Sequence, residues 1–207
     1  MTCSPCWTRP ARPARCCSGS AAAGALCIQL AADHPDRVAG LILHNSMARM
    51  LRAPGYPWGW TERAYQRLLA SFEDAWLGNG DGLVRRNPGL AGNPRYRDWF
   101  ARYVRLGASP WMARRLTEMN AELDVRDLLG EIRAPTLVIC RTEDVWLSAG
   151  NSRYLARQIP GARLVELPGV DHDPWVGDAG QVLEVVERFV AGLGQQRRLA
   201  TAAARRS

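Results

Sequence analysis

Three short apolar runs along the chain predict buried β-strands. They occupy residues 38–43, 135–140 and 162–167, and residues that favour turns or helix ends bound each run. Apolar runs of this length between breakers are typical of strands that are covered on both faces. Because strands of this kind usually belong to parallel sheets, we expect the three to share one sheet.

Helical segments alternate with these strands. Residues 21–33 are a run of helix formers that His34 and Pro35 end, residues 152–158 form a second segment, and residues 181–193 form an amphipathic closing helix. A helix followed at once by a buried strand is half of a βαβ unit. The pattern therefore predicts an α/β fold, in which part of a mainly parallel sheet carries flanking helices.

The stretch between residues 46 and 131 differs from the rest and predicts an inserted helical cap. It combines helical patches with proline and glycine breaks and holds Tyr56, Trp58, Trp60, Trp76, Trp99 and Trp111. Such aromatic side chains either pack a small subdomain or line a pocket, and the residues alone leave both open. We expect residues 21–45 and 132–192 to form the two parts of the core. Trp58 and Trp60 are candidate substrate-binding residues.

The two ends of the chain carry its basic character. The net charge is +7, but residues 1–23 hold three arginines and no acid, and residues 188–207 hold five arginines and no acid. We therefore predict a disordered segment over residues 1–20, a basic tail over residues 193–207 and no nucleic-acid partner. No apolar run is long enough to span a membrane and no signal peptide is recognisable, which predicts a cytoplasmic protein without a membrane partner.

Four of the six cysteines lie close together near the N-terminus, at Cys3, Cys6, Cys16 and Cys17. Paired cysteines can bind zinc, but the spacing between these pairs is too short for a zinc ribbon and no histidine lies near. We predict no metal site and no organic cofactor.

Two residues that could carry chemistry follow neighbouring strands of the predicted sheet. Asp144 comes just after the strand at residues 135–140, and His172 comes just after the strand at residues 162–167. The carboxyl ends of parallel strands meet at one edge, where a carboxylate can orient an imidazole and stabilise its protonated form. A solvated aspartate and a structural loop histidine would fit the same spacing, so the residues alone leave both interpretations open.

Several motifs in order along the chain resemble the α/β-hydrolase family. They are HPDRVAGLIL at residues 34–43, RAPGYPWGW at 52–60, NAELDVR at 120–126, RTED at 141–144 and LPGVDHDPW at 167–175. More narrowly, they are similar to the hydrolase modules joined to class III adenylate or guanylate cyclase domains. The resemblance covers approximately residues 24–192. It implies that the family's earlier strands would precede residue 1, so that the chain is truncated at its N-terminus.

The resemblance also implies a catalytic triad whose members follow the chain order nucleophile, acid, histidine. Asp144 would be the acid and His172 the general base. The nucleophile serine would open the helix that ends at His34, but that position holds Ala21, in the string GSAAAG. Alanine has no nucleophilic atom, and Ser20 is a poor substitute because it lies one residue away and its side chain points elsewhere.

The unusual composition of residues 1–20 suggests a frameshift. Back-translation from Met1 with GC-rich codons, read two bases later, gives an amphipathic helix, a glycine stop and a buried strand. The nucleotide sequence tests this hypothesis, because a shifted frame without that pattern would refute it. A sheet lacking its earlier strands would also expose an edge, through which the chain could self-associate.

These patterns together predict a fragment of a serine hydrolase that acts on a small ester or amide-like substrate. As printed, it would be inactive because the nucleophile position is Ala21. The alternative is a non-catalytic pseudo-hydrolase module that binds a ligand or a partner. Residue 21 separates the two, since a serine in the gene would favour the enzyme.

Overall fold

The computed structural model describes residues 14–72 and 84–204. The first strand and helix are β1 (Arg15–Ala21) and α1 (Ala22–Asp33), followed by a 3₁₀ turn (Pro35–Arg37) and β2 (Val38–Ser46). The cap helices are α2 (Glu62–Ala70), α3 (Pro88–Ala91), α4 (Pro94–Gly107) and α5 (Pro110–Glu122). A 3₁₀ helix (Arg126–Glu131), β3 (Thr136–Arg141), α6 (Ala149–Gln158), β4 (Arg163–Leu167) and α7 (Ala179–Ala204) complete the order.

The four strands form one parallel sheet in the order β1-β2-β3-β4. Ser20 lies opposite His44 in the first pair, and His44 lies opposite Ile139 in the second. All four carboxyl ends therefore meet at one edge of the sheet, and the prediction of an α/β fold with a parallel sheet is confirmed.

Helices cover both faces of this sheet because alternate residues of each strand point to opposite sides. Leu41 and Leu43 of β2 pack with α1 and α6 in the main core cluster. Ile42, between them, packs on the other face with Val182 of α7. The sheet is thus covered on both sides, as its continuous apolar runs predicted.

The N-terminal segment differs from its prediction. Residues 15–20 were expected to be disordered, but they form most of β1, which pairs with β2 along its length. Its residues are small or polar, so no apolar run marks them, and the parallel hydrogen bonds to β2 hold them in place.

Cys17 Sγ lies 3.0 Å from Cys27 Sγ, and the described residues contain no cluster that could hold a metal ion. Cys3 and Cys6 lie outside the described residues.

The closing helix also differs from its prediction. The tail was expected to begin at residue 193, but α7 continues to Ala204. Alanine, leucine, glutamine and arginine are strong helix formers, so the helix extends past the last residues that pack on the sheet. None of the described helices is long and apolar enough to cross a membrane.

The helices α2 to α5 lie between β2 and β3, in the stretch for which a cap was predicted, and Tyr56 anchors the first part of this stretch to the core. The Tyr56 side chain is fully buried, its hydroxyl donates to Oδ1 of Asn151, and it accepts from the backbone N–H of Ala48 at 3.2 Å. Burial raises the pKa of Tyr56 to about 12, so the phenol stays neutral. Trp76 lies outside the described residues.

His44 is a buried polar residue near the carboxyl end of β2. Its side chain is 4% exposed, and neither ring nitrogen has a hydrogen-bond partner within the described residues. Burial lowers the pKa of His44 to about 4, and electrostatic interactions with His172 and Arg141 lower it further. The imidazole is therefore neutral at physiological pH.

Truncation of a core side chain of β2 should destabilise the fold strongly. Leu43 is 0% exposed, whereas Leu26 on α1 is 56% exposed. We expect Leu43→Ala to lower the free energy of unfolding by about 2–5 kcal/mol, because it leaves a cavity in the core. Leu26→Ala, the matched control, should change it by less than about 0.5 kcal/mol in urea titrations. Equal losses for the two variants would contradict the packing described.

His44 should make stability depend on pH between about 6.5 and 4. In this range the unfolded chain binds a proton at His44 and the folded chain does not, so the free energy of unfolding falls as the pH falls. His44→Leu removes this contribution. Between pH 7 and pH 4.5, the variant should lose about 2–3 kcal/mol less than the natural chain, as measured by urea unfolding. Parallel pH profiles for the two proteins would refute the assignment.

Candidate active site

A sharp turn between β1 and α1 places Ala21 at the carboxyl edge of the sheet. Ala21 has φ 50° and ψ −126°, a conformation that residues with a side chain rarely adopt. Gly19 makes the turn possible, because a Cβ there would lie 2.7 Å from the backbone of Ala23. Gly24 lets α1 approach the end of β2 closely, because a Cβ there would collide with the side chain of Ser46. The predicted nucleophile position is therefore a strained strand-to-helix turn.

Asp144 and His172 meet at the same edge, as the sequence predicted. Asp144 Oδ2 lies 2.8 Å from His172 Nδ1, and the two side chains are 1% and 2% exposed. The other carboxylate oxygen, Oδ1, accepts from the backbone N–H groups of Trp146 at 2.7 Å and Leu147 at 3.1 Å. With Nδ1–H donated to the carboxylate, Nε2 is left as a proton acceptor.

Asn45 connects the ends of β2 and β3 to the histidine loop. Its Nδ2 donates to the carbonyl of His172 at 2.7 Å, and its Oδ1 accepts from the N–H of Arg141 at 2.9 Å. Asn45 has φ 41°, a left-handed conformation that asparagine tolerates better than most residues. Its neighbour Ser46 lies opposite Ala21 in the sheet. Sequence reasoning missed Asn45, although an asparagine directly after an apolar strand was a usable signal.

The cap also holds the histidine loop. The His172 N–H donates to the Arg86 carbonyl at 3.0 Å, and the Asp173 N–H donates to Asn87 Oδ1 at 3.0 Å. The Asp173 carboxylate accepts from Asn87 Nδ2 at 2.6 Å and forms an ion pair with Arg86 at 3.0 Å. Asp171 accepts from the N–H of Gly89 at 2.8 Å. These contacts were not foreseen, because their partners lie more than 80 residues apart in the sequence.

Arg141 binds the backbone on both sides of the loop that carries His172. Its guanidinium is buried and donates to the carbonyls of Pro168 at 3.0 Å and Asp178 at 2.7 Å. It thus ties the end of β3 to the segments before and after His172. A buried arginine that bonds to carbonyl oxygens fixes the loop backbone in one position.

A cavity of about 540 Å³ lies against the turn at Ala21. Ala21 and Ala22 line it, and most of its other walls are apolar, including Met50, Leu68, Phe72, Phe100, Val104 and Leu147. Arg86 is the single charged side chain among the described residues of the lining. The cavity can therefore hold the apolar part of a small molecule beside the turn.

The two candidate tryptophans lie in different places. Trp60 lines the cavity, and its indole N–H donates to the Trp146 carbonyl at 3.0 Å. Trp58 lies outside this cavity and packs edge-on against Tyr56, next to Tyr154. Trp58 occupies the space over Gly150, where a Cβ would lie 1.9 Å from the indole. Its contacts are those of a packing residue, unlike those of Trp60.

Ser20 and His172 also lie outside the described lining of this cavity. Ser20 is opposite His44, so its side chain is on the α7 face of the sheet. Trp146 lines the cavity, and its ring centroid is 6.4 Å from that of His172. Of the two candidate nucleophile positions, Ala21 is the one that contacts the cavity.

Comparisons with known proteins agree with this fold. The chain is 26% identical over 185 residues to a pimeloyl-[acyl-carrier protein] methyl ester esterase of Neisseria meningitidis serogroup C, an alignment that covers 82% of this chain and 67% of the esterase. An enol-lactonase from Burkholderia xenovorans LB400 is similar in structure, with a TM-score of 0.72, 22% identity and coverage of 86% of this chain and 66% of the lactonase. An esterase from Exiguobacterium antarcticum gives a TM-score of 0.76 at 19% identity, covering 84% of this chain and 65% of the esterase.

The chain thus spans about two-thirds of the length of these proteins. The model of the Alpha/beta hydrolase family matches residues 16–185, which is most of the chain and includes β1. This chain belongs to the α/β-hydrolase family.

Proposed function

We propose that this chain is an α/β-hydrolase module built for a small ester or amide-like substrate, and that Ala21 prevents it from hydrolysing that substrate. The observation that carries the proposal is the strained turn at Ala21, which faces an apolar cavity beside the buried Asp144–His172 pair. The group that a serine hydrolase needs and that this turn lacks is a hydroxyl at residue 21.

The role that we propose for each group follows from the chemistry of serine hydrolases. A hydroxyl at position 21 would attack the carbonyl carbon, and His172 Nε2 would accept its proton. Asp144 would hold the imidazole in place and stabilise its charged form. The N–H of Ala22, at the start of α1, would donate to the oxyanion of the tetrahedral intermediate, where the helix dipole also favours negative charge. With alanine at position 21, the first bond cannot form.

The cavity and the relatives support an ester as substrate. Its walls are mainly apolar, which suits an acyl or alkyl group, and Arg86 adds one positive charge. The solved and curated relatives include enzymes named as esterases. The narrower resemblance to cyclase-associated modules stays a prediction, and the gene sequence downstream of codon 207 tests it.

A second candidate function is ligand binding without catalysis. It is favoured by a cavity that remains open beside a position with no nucleophile. In calorimetry, a short-chain ester should then bind the natural chain and remain intact. Val104→Trp, which fills the cavity between α4 and the turn, should abolish the binding.

Restoration of the hydroxyl is the direct test of the proposed function. We expect Ala21→Ser to raise hydrolysis of p-nitrophenyl esters at least about 10²-fold above the natural chain. A fluorophosphonate should then form a covalent adduct at residue 21, with loss of fluoride, that mass spectrometry can locate. Ser20→Ala in the natural chain, the matched control, should change nothing. A folded Ala21→Ser protein that forms no adduct would refute the proposal.

The acid–histidine pair should control that restored activity. In the Ala21→Ser background, Asp144→Asn should lower kcat by at least about 10²-fold, to near the rate of the natural chain, because the amide favours the wrong tautomer of His172. The KM should change little, since Asp144 is buried behind the histidine and does not line the cavity. An unchanged kcat would exclude His172 as the general base.

A further inference from the structure

We propose that the outer surface of the cap docks on an anionic membrane surface. The contact is made by what we call the cap patch, which consists of exposed apolar side chains of α4 and α5. These are Trp99, Tyr103, Leu106, Met112, Leu116 and Met119.

The cap patch follows the periodicity of its helices. Trp99, Tyr103 and Leu106 occupy positions i, i+4 and i+7 of α4, and the rings of Trp99 and Tyr103 stack at 5.5 Å. The opposite face of α4 is buried through Phe100 and Val104. Met112, Leu116 and Met119 repeat the same spacing on α5. α4 is therefore apolar on two faces, one towards the cavity and core and one towards the outside.

The amount of exposed apolar surface is unusual for a helix pair on a globular domain. Leu106 is 76% exposed, and the other five residues of the cap patch are between 43% and 50% exposed. Clustered exposed apolar side chains, such as Trp99, Tyr103 and Leu106 along one groove of α4, mark sites of contact with a protein or a membrane. The aromatic and aliphatic mixture is typical of helices that lie in a membrane interface.

The positive charge of the arginines around the cap patch favours binding to an anionic surface. Residues 94–122 contain six arginines and three acids. On α4, Arg95, Arg102 and Arg105 are exposed. Arg102 and Arg105 form no ion pair with any described residue, whereas Arg114 and Arg115 of α5 both contact Glu118. Exposed guanidinium groups beside apolar side chains match lipid phosphates above acyl chains.

The cavity reaches the surface at the cap patch. Tyr103 and Leu116 line the cavity and are half-exposed, and the exposed Gly107 lies between them in the lining. A second, open groove is formed by Trp99, Arg102, Tyr103, Leu106 and Gly107, and it shares two residues with the cavity. An apolar chain lying in the membrane surface would thus meet a continuous apolar path towards Ala21.

This contact differs from the membrane partner that the sequence argued against. That prediction was of no membrane partner at all, and it was argued from the absence of a spanning segment and of a signal peptide; no described helix could cross a membrane. A peripheral contact needs only an apolar face and positive charge at the interface.

Vesicle binding by the full 207-residue chain tests the proposal and needs no catalytic activity. In co-sedimentation, we expect the chain to bind vesicles of equal parts phosphatidylcholine and phosphatidylglycerol, and to bind pure phosphatidylcholine vesicles at least about tenfold more weakly. Binding should weaken as salt is raised. Equal binding to both vesicles, or to neither, would overturn the proposal.

Two matched variants locate the contact. Leu106→Asp should reduce binding to the anionic vesicles at least about tenfold, whereas Leu183→Asp, on α7 and 59% exposed, should leave it unchanged. The double change Arg102→Gln and Arg105→Gln should reduce binding to anionic vesicles alone. Equal loss for both leucine variants would overturn the proposal. So would a dimer in size-exclusion chromatography that Leu106→Asp dissociates, if no vesicle binding accompanies it.

Discussion

The carboxamide of Asn45 is the interaction on which the candidate site most depends. Its two polar groups bond to the histidine loop and to the end of β3, and both bonds are buried. Asp144 follows three residues after Arg141, so the acid and the histidine are both positioned relative to the same side chain. Because β2 also pairs with β1, the turn at Ala21 is positioned by the same strand that carries Asn45. A buried amide that lost one partner would leave an unsatisfied group, which gives the arrangement little freedom to shift.

Hydrogen bonds and an ion pair join the cap to the loop of the core that carries His172. Asn87 is fully buried and exchanges two hydrogen bonds with Asp173, while Arg86 forms an ion pair with Asp173 and its guanidinium lies 5.2 Å from the ring centre of Phe100. Arg86 and Phe100 both line the cavity. The wall that would contact a ligand is therefore bonded directly to the loop that carries the histidine. The backbone of the histidine loop is therefore hydrogen-bonded to two neighbouring residues of the cap, Arg86 and Asn87.

Sequence reasoning recovered the parts of the fold that a local pattern encodes. The strands β2, β3 and β4 are apolar runs, and Asp144 and His172 follow two of them, so their meeting at one edge was predictable. β1 was not, because it consists of arginine, cysteine, serine, glycine and alanine and depends on its neighbour for pairing. The bonds of Asn87 to Asp173 join distant positions and leave no periodic signal. Trp58 and Trp60 are two residues apart, yet they separated into a packing and a cavity position for reasons that only tertiary structure decides.

The turn at Ala21 is held by its surroundings rather than by the residue that occupies it. Strain at a residue with a side chain costs about 1–3 kcal/mol, and here it persists although alanine has no reactive group. The backbone would thus present any small side chain to the cavity in the same orientation. Alanine and serine codons of the GCN and UCN types differ by a single base. One nucleotide substitution would therefore place a hydroxyl at residue 21, on a turn whose backbone conformation is already formed without it.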